Sequence, residues 1–207
     1  MVYKGLEERV RTYSNMMAFI PLLFLYFIIQ ISGHGRFMKP VSRSSIWRDS
    51  HFDNQNPPKN YNDNELFCGS VHQPTNPGDN CGICGDAYSD SVPRDNEVGG
   101  KFYKGIITGQ YSPGQVIEVA AELTMSHKGF MEWRLCDNFN NNNQACFKHL
   151  LMRADGLGSR IPVNSTGWYT TKLILPTGLS CSHCVLQWNY RGGNQWGDCG
   201  NGTGAMG

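Results

Sequence analysis

Six histidines offer this sequence nitrogen donors for a transition metal: His34, His51, His72, His127, His149 and His183. His34 stands apart because of what precedes it. A polar leader with Lys4, Glu7, Glu8, Arg9 and Arg11 runs into the apolar stretch 18–29, and Ile31-Ser32-Gly33 then leads to His34. The stretch is short for a bilayer span and has the length of a secretory-signal core. The sequence therefore predicts a signal peptide over 1–33 and a secreted, extracellular chain starting at His34. An uncleaved membrane anchor is the competing reading, and the shortness of the run counts against it. Cleavage would give His34 two donors, its α-amino group and its imidazole. One residue then chelates a metal, and most of the entropy of assembling two ligands is saved. The amine has a pKa near 7.7–8.0, so a metal can displace its proton close to neutral pH.

A second histidine completes a planar, all-nitrogen set, the coordination that suits Cu(II), which also heads the divalent affinity series. His127 is the candidate. It lies in Thr124-Met-Ser-His-Lys-Gly129, a turn between two stretches with strong strand character. His183 is crowded inside a cysteine pair and His149 belongs to no motif, which makes both weaker candidates.

The elements that must position these residues are strands. Val116–Leu123, Met131–Cys136, Tyr169–Leu175 and Val185–Tyr190 alternate or are rich in β-formers. Alternation puts Met131, Trp133 and Leu135 on one face of their strand and Glu132 and Arg134 on the other. Residues 34–115 are rich in Gly, Pro, Asn and Asp and read as long loops, with short helix over 44–66. The expected fold class is all-β: an antiparallel immunoglobulin/fibronectin-III-like β-sandwich with long disulfide-linked loops. Residues 34–207 form one domain on this reading.

All eight cysteines (Cys68, Cys81, Cys84, Cys136, Cys146, Cys181, Cys184 and Cys199) follow the signal, and an even count in an exported chain reads as a disulfide framework. Cys136 with Cys146 is the pair the spacing favours, pinching off an Asn-rich loop. A zinc site from Cys81, Cys84, Cys181 and Cys184 is the competing use. Sequons at Asn164 and Asn201 fit a secreted glycoprotein. The chain has 18 basic and 17 acidic residues, and taking away Lys4, Arg9, Arg11, Glu7 and Glu8 leaves 15 of each. Such a balance lacks the electrostatic footprint for nucleic acid or an anionic membrane and points to an uncharged polymer partner.

Four motifs together resemble one family. They are His34-Gly-Arg-Phe-Met-Lys-Pro40, Cys81-Gly-Ile-Cys-Gly-Asp86, Ser126-His-Lys-Gly-Phe-Met-Glu-Trp-Arg-Leu-Cys136 and Gln187-Trp-Asn-Tyr-Arg-Gly-Gly-Asn-Gln-Trp-Gly-Asp-Cys199. In this order they are similar to the lytic polysaccharide monooxygenases, also labelled chitin-binding type 4, and most to auxiliary activity family fifteen. The resemblance implies copper held by His34 and His127, with Tyr190 near the axial position. It implies oxidative cleavage, at C1 or C4, of an insoluble β-1,4-linked polysaccharide, chitin first and cellulose second. An external electron donor and hydrogen peroxide or dioxygen are the other partners, and the protein works as a monomer. The family pattern continues past the glycine-rich end 201–207 with further cysteines, so the domain reads as truncated there.

Trp47, Tyr61, Tyr88, Phe130 and Trp196 are aromatics that could stack on sugar rings. Gln187 resembles the amide that related enzymes keep beside copper, but alternation turns it away from the face of Trp188 and Tyr190. Rival readings are a paired-carboxylate glycoside hydrolase, a non-catalytic secreted chitin-binding module and a secreted copper carrier. For the first, Asp and Glu are scattered without a compelling pair.

Overall fold

The computed structural model describes residues 34–68, 81–141 and 143–193, together with the backbone of 196–198 and 204–206. The expected signal peptide over 1–33, His72, Asn201, Cys199 and the side chain of Trp196 lie outside the described residues. No helix among the described residues is long and apolar enough to cross a membrane.

Among the described residues there are ten strands: β1 (His34–Lys39), β2 (Val116–Met125), β3 (Phe130–Cys136), β4 (His149–Leu150), β5 (Met152–Arg153), β6 (Ile161–Pro162), β7 (Gly167–Ile174), β8 (Val185–Arg191), β9 (Trp196–Asp198) and β10 (Gly204–Met206). Antiparallel pairing orders one sheet β1-β2-β7-β5. A second sheet runs β4-β3-β6, with β8 also paired to β3, and β9 and β10 form a small ribbon. The four strands expected from patterning are β2, β3, β7 and β8. Helical structure over 44–66 is confined to two 3₁₀ turns, Ile46–Arg48 and Ser50–Gln55.

The core lies between the sheets because each turns its apolar alternate residues inward. Phe37, Ile117, Val119, Ala121, Leu123 and Leu173 come from the first sheet and meet Met131, Trp133 and Leu135 from the second. Glu132 faces the other way, as alternation requires, yet it is buried. Arg134 Nε at 3.1 Å and Arg160 Nε at 3.6 Å neutralise its carboxylate. The architecture is the expected all-β sandwich.

The loops of the first half bury little apolar surface and are held by polar contacts instead. Arg94 Nη1 donates to Glu97 at 2.8 Å, and the Asn96 amide donates to Asp86 at 2.6 Å. Burial raises the Asp86 carboxyl above its ordinary range, and the bonds from Asn96 oppose this. Disulfides join Cys68 to Cys81, Cys136 to Cys146 and Cys181 to Cys184. The expected Cys136–Cys146 pair is present. The zinc reading is corrected: Cys81 and Cys181 are bonded to other cysteines, and thiolate ligation needs free sulfurs. Cys84 has no disulfide partner among the described residues. Its sulfur accepts from Arg43 at 3.1 Å, and burial pushes the thiol up to about 12.

Candidate metal centre

β1 enters at His34, opposite Met125 at the end of β2, and His127 follows two residues later in the turn to β3. Tyr190 sits on β8 opposite Met131, near the start of β3. Pairing thus brings His34, His127 and Tyr190 to one end of the sandwich. The other described histidines are elsewhere. His149 pairs with Leu135 at the far end of β3, and His183 stacks on Phe139 at 4.1 Å between ring centroids. His51 is exposed and bonded to Asp49. Three described groups (Cys136, Asp137 and Cys146) cluster as metal ligands would, but both sulfurs are spent in a disulfide.

The start of β1 is set by an irregularity in β2. His34 pairs with Met125 and Gly35 with Leu123, so Thr124 is the extra residue of a bulge. A bulge bends its strand and re-aims the side chains beside it. The Asn64 amide donates to Thr124 Oγ1 at 3.1 Å, while the Asn64 carbonyl accepts from Gly35 N–H at 2.8 Å. One loop residue therefore grips both strands next to His34. Glu65, its neighbour, has Oε1 4.0 Å from His34 Nδ1.

Gly35 has no room for a side chain. A Cβ there would stand 2.5 Å from Leu123 Cδ2, 2.8 Å from the Glu122 carbonyl oxygen and 3.0 Å from Trp188 Cη2. The backbone oxygen cannot move aside, so Gly35→Ala must displace β1 at the residue after His34. Overpacking of this kind costs about 1–3 kcal/mol. Gly35→Ala is expected to lower the melting temperature and to weaken Cu(II) binding about tenfold by calorimetric titration. Unchanged values in both measurements would show that β1 is not wedged here.

The His127 turn is held from three sides. Its N–H donates to Tyr190 Oη at 2.8 Å and its carbonyl accepts from Gly193 N–H at 2.7 Å. Lys128 (φ 56°) and Gly129 (φ 79°) both lie in the left-handed region, and a Cβ on Gly129 would collide with the Arg191 carbonyl. The Tyr190 hydroxyl also donates to the Lys128 carbonyl at 2.9 Å. Burial raises the Tyr190 phenol above its usual range. The Tyr190 hydroxyl is thus committed to backbone, which its place in the motif does not reveal.

Gln187 points away, as alternation predicts. β8 pairs with β3 without a register shift, and the Gln187 amide bonds to the Ile83 carbonyl and to Gln144. Among the aromatics, Tyr61 is 75% exposed and meets Trp47 edge-on at 5.2 Å. Tyr88 is about half exposed, and Phe130 lies partly buried under Arg160. Asn64, Thr124 and Gly193 carry no metal-ligating chemistry, and the sequence does not reveal their roles because these depend on contacts between distant segments.

Over residues 34–199 the sequence matches the family described as cellulose-degrading lytic polysaccharide mono-oxygenase. The chain belongs to the lytic polysaccharide monooxygenases. A solved structure similar to it is the AA15 lytic polysaccharide monooxygenase of Thermobia domestica in its Cu(I) state. The two are 44% identical, with a TM-score of 0.72, over 84% of this chain and 91% of that one. No curated protein matched. A lytic polysaccharide monooxygenase is a copper-dependent oxidoreductase, so copper is the group these residues must fit. His34 and His127 fit it by donor chemistry: they are the two described histidines that share an end of the sandwich, and nitrogen donors suit copper.

Proposed function

We propose that the protein, in the form beginning at His34, binds one copper ion through the amine and imidazole of His34 and the imidazole of His127. The observation that carries this reading is the convergence of those two histidines, with Tyr190, where β1, the β2–β3 turn and β8 end together. Copper so bound supplies the one-electron chemistry by which an external reductant and hydrogen peroxide or dioxygen oxidise a glycan at C1 or C4. The substrate is a β-1,4-linked polysaccharide, chitin first and cellulose second. The family match starting at His34 and the signal-like stretch before it support secretion and cleavage there.

The protein's own groups handle substrate and placement. Tyr61 offers an open aromatic face on the loop that also carries Asn64, so a sugar ring stacked there lies on the segment that grips β1. Formal neutrality of residues 34–207 suits an uncharged polymer. A recessed cavity lined by Arg43, Ile46, Phe102 and His183 has a volume of about 30 Å³, enough for water and not for a sugar. None of His34, His127 or Tyr190 lines it. A glycosidase is disfavoured by the acids: Asp63, Asp86, Glu97 and Glu132 are buried but each is bonded to Arg or Asn.

The test is release of oxidised oligosaccharides from β-chitin and from cellulose by the copper-loaded protein with ascorbate and peroxide, alongside the mass of its amino-terminal peptide. Oxidised products and a terminus at His34 are expected. Tyr61→Ala should weaken chitin binding several-fold and leave copper affinity unchanged. Chitin binding without any oxidised product would favour the non-catalytic module, and copper binding without chitin affinity the carrier.

A further inference from the structure

We infer that Tyr190 is a positioning residue for this reaction: its hydroxyl fixes the His127 turn relative to β1 instead of serving the metal from the axial side. The inference rests on the reading of His127 as a copper ligand. A phenol has one donor and two acceptor sites. In Tyr190 the donor is spent on the Lys128 carbonyl at 2.9 Å and an acceptor on the His127 N–H at 2.8 Å. The hydroxyl therefore brackets the dipeptide that carries the ligand, tying its first N–H and its last carbonyl to one oxygen.

The dipeptide needs such a clasp. Lys128 has φ 56° without being glycine, and Gly129 follows at φ 79°. Left-handed backbone of this kind persists only where the surroundings over-determine it. Gly193 N–H on the His127 carbonyl and Val163 N–H on the Gly129 carbonyl supply two further ties. Tyr190 differs from these in reaching back to β1. Its ring stacks on Trp188 at 6.4 Å and 11°, and Trp188 stacks on Phe37 of β1 at 6.3 Å and 25°. Met131, its partner across the ladder, is fully buried. A continuous row of rings thus links the strand that presents His34 to the hydroxyl that holds the His127 turn. Groups that orient metal ligands from the outer shell typically control 10–100-fold of metal affinity.

The experiment compares wild type, Tyr190→Phe and His127→Ala, each beginning at His34. Copper is titrated, frozen-solution Cu(II) electron paramagnetic resonance is recorded, and amide exchange at His127 and Lys128 is followed in the metal-free proteins. Tyr190→Phe keeps the ring row and loses the hydroxyl's bonds to the His127 turn, the one with Ser126 included. It is expected to exchange faster at His127, to bind Cu(II) about tenfold more weakly, and to show a mixture of Cu(II) signals instead of one. Unchanged exchange and affinity would overturn the inference, as would a single, uniformly shifted signal with native exchange, the mark of an axial role. His127→Ala with native copper affinity would overturn the copper reading itself and the inference with it. Should Tyr190→Phe fail to fold, 4-aminophenylalanine at 190 retains a donor toward Lys128 but is a poor acceptor. Faster exchange confined to the His127 N–H is then expected, and native exchange there overturns the clasp.

Discussion

His127→Ala is expected to weaken Cu(II) binding by more than about 100-fold, because even residues that merely orient a metal ligand are worth 10–100-fold. Peroxide-driven release of oxidised oligosaccharides should fall to background. The fold should survive. His127 sits in a turn whose backbone contacts run through its N–H and carbonyl, to Tyr190 and Gly193, and alanine keeps both groups. The measurements are calorimetric copper titration, product analysis by mass spectrometry and a melting curve. Affinity within tenfold of native, with a native melting temperature, would remove His127 from the copper site. A protein carrying one extra residue before His34 is the matching control. It retains both imidazoles and displaces the amine, so it too should lose most of its affinity.

What the sequence reveals of this fold follows from how much each segment buries. β2 and β3 are legible because Ile117, Val119, Leu123, Met131 and Trp133 are all nearly inaccessible, and burial on one face imposes a period of two. β1 reads as loop in the sequence, since of His34–Lys39 only Phe37 is buried and the strand exists by pairing with β2. β4, β5 and β6 are two residues long and cannot show a period. Cys136–Cys146 was legible from the short loop it closes, whereas nothing local distinguished Cys68–Cys81 or Cys181–Cys184 from a zinc site.

The candidate centre divides in the same way. His34 and His127 are the candidates the sequence offers because an imidazole, with the amine that cleavage would expose at His34, is read from residue type and place, and their neighbours carry family motifs. Tyr190 is singled out in the sequence by its motif alone, and its contacts are not legible there, because its hydroxyl bonds to backbone more than sixty residues away. The Thr124 bulge and the grip of Asn64 depend on a loop folding back over two strands. No residue type announces such a contact, and only the register of β1 on β2 exposes it.

Asp63→Ala should be the most destabilising change among the polar residues of the loop beside His34. The Asp63 carboxylate is fully enclosed. Arg48 Nε and Nη2 donate to it at 2.5 and 3.0 Å, and Arg36 Nε lies 3.5 Å away. Removing one member of a buried ion pair costs about 3–5 kcal/mol. Here the Arg48 side chain keeps 29% of its surface and Arg36 retains Glu122 at 3.1 Å, so both guanidinium groups can partly recover. A loss of about 2–3 kcal/mol is the discounted expectation. For a domain of this size that lowers the melting temperature by roughly 5–10 °C. High salt should leave the difference intact because the pair is shielded from the solvent. The exposed Lys39–Glu118 pair, at 59% and 44%, should by contrast be screened away. Asp63 also precedes Asn64 and Glu65, which reach Gly35, Thr124 and His34. Freeing the loop therefore loosens the grip on the bulge, and copper affinity should drop several-fold even at temperatures where Asp63→Ala is fully folded. Asp63→Asn keeps the shape and one acceptor for Arg48, but it removes the charge and sets an amide NH2 against the second Arg48 donor, so it should recover only part of both losses. A variant that melts like the native protein would show that the loop is held by its neighbours alone, and one that melts early with native copper affinity would uncouple the loop from the metal.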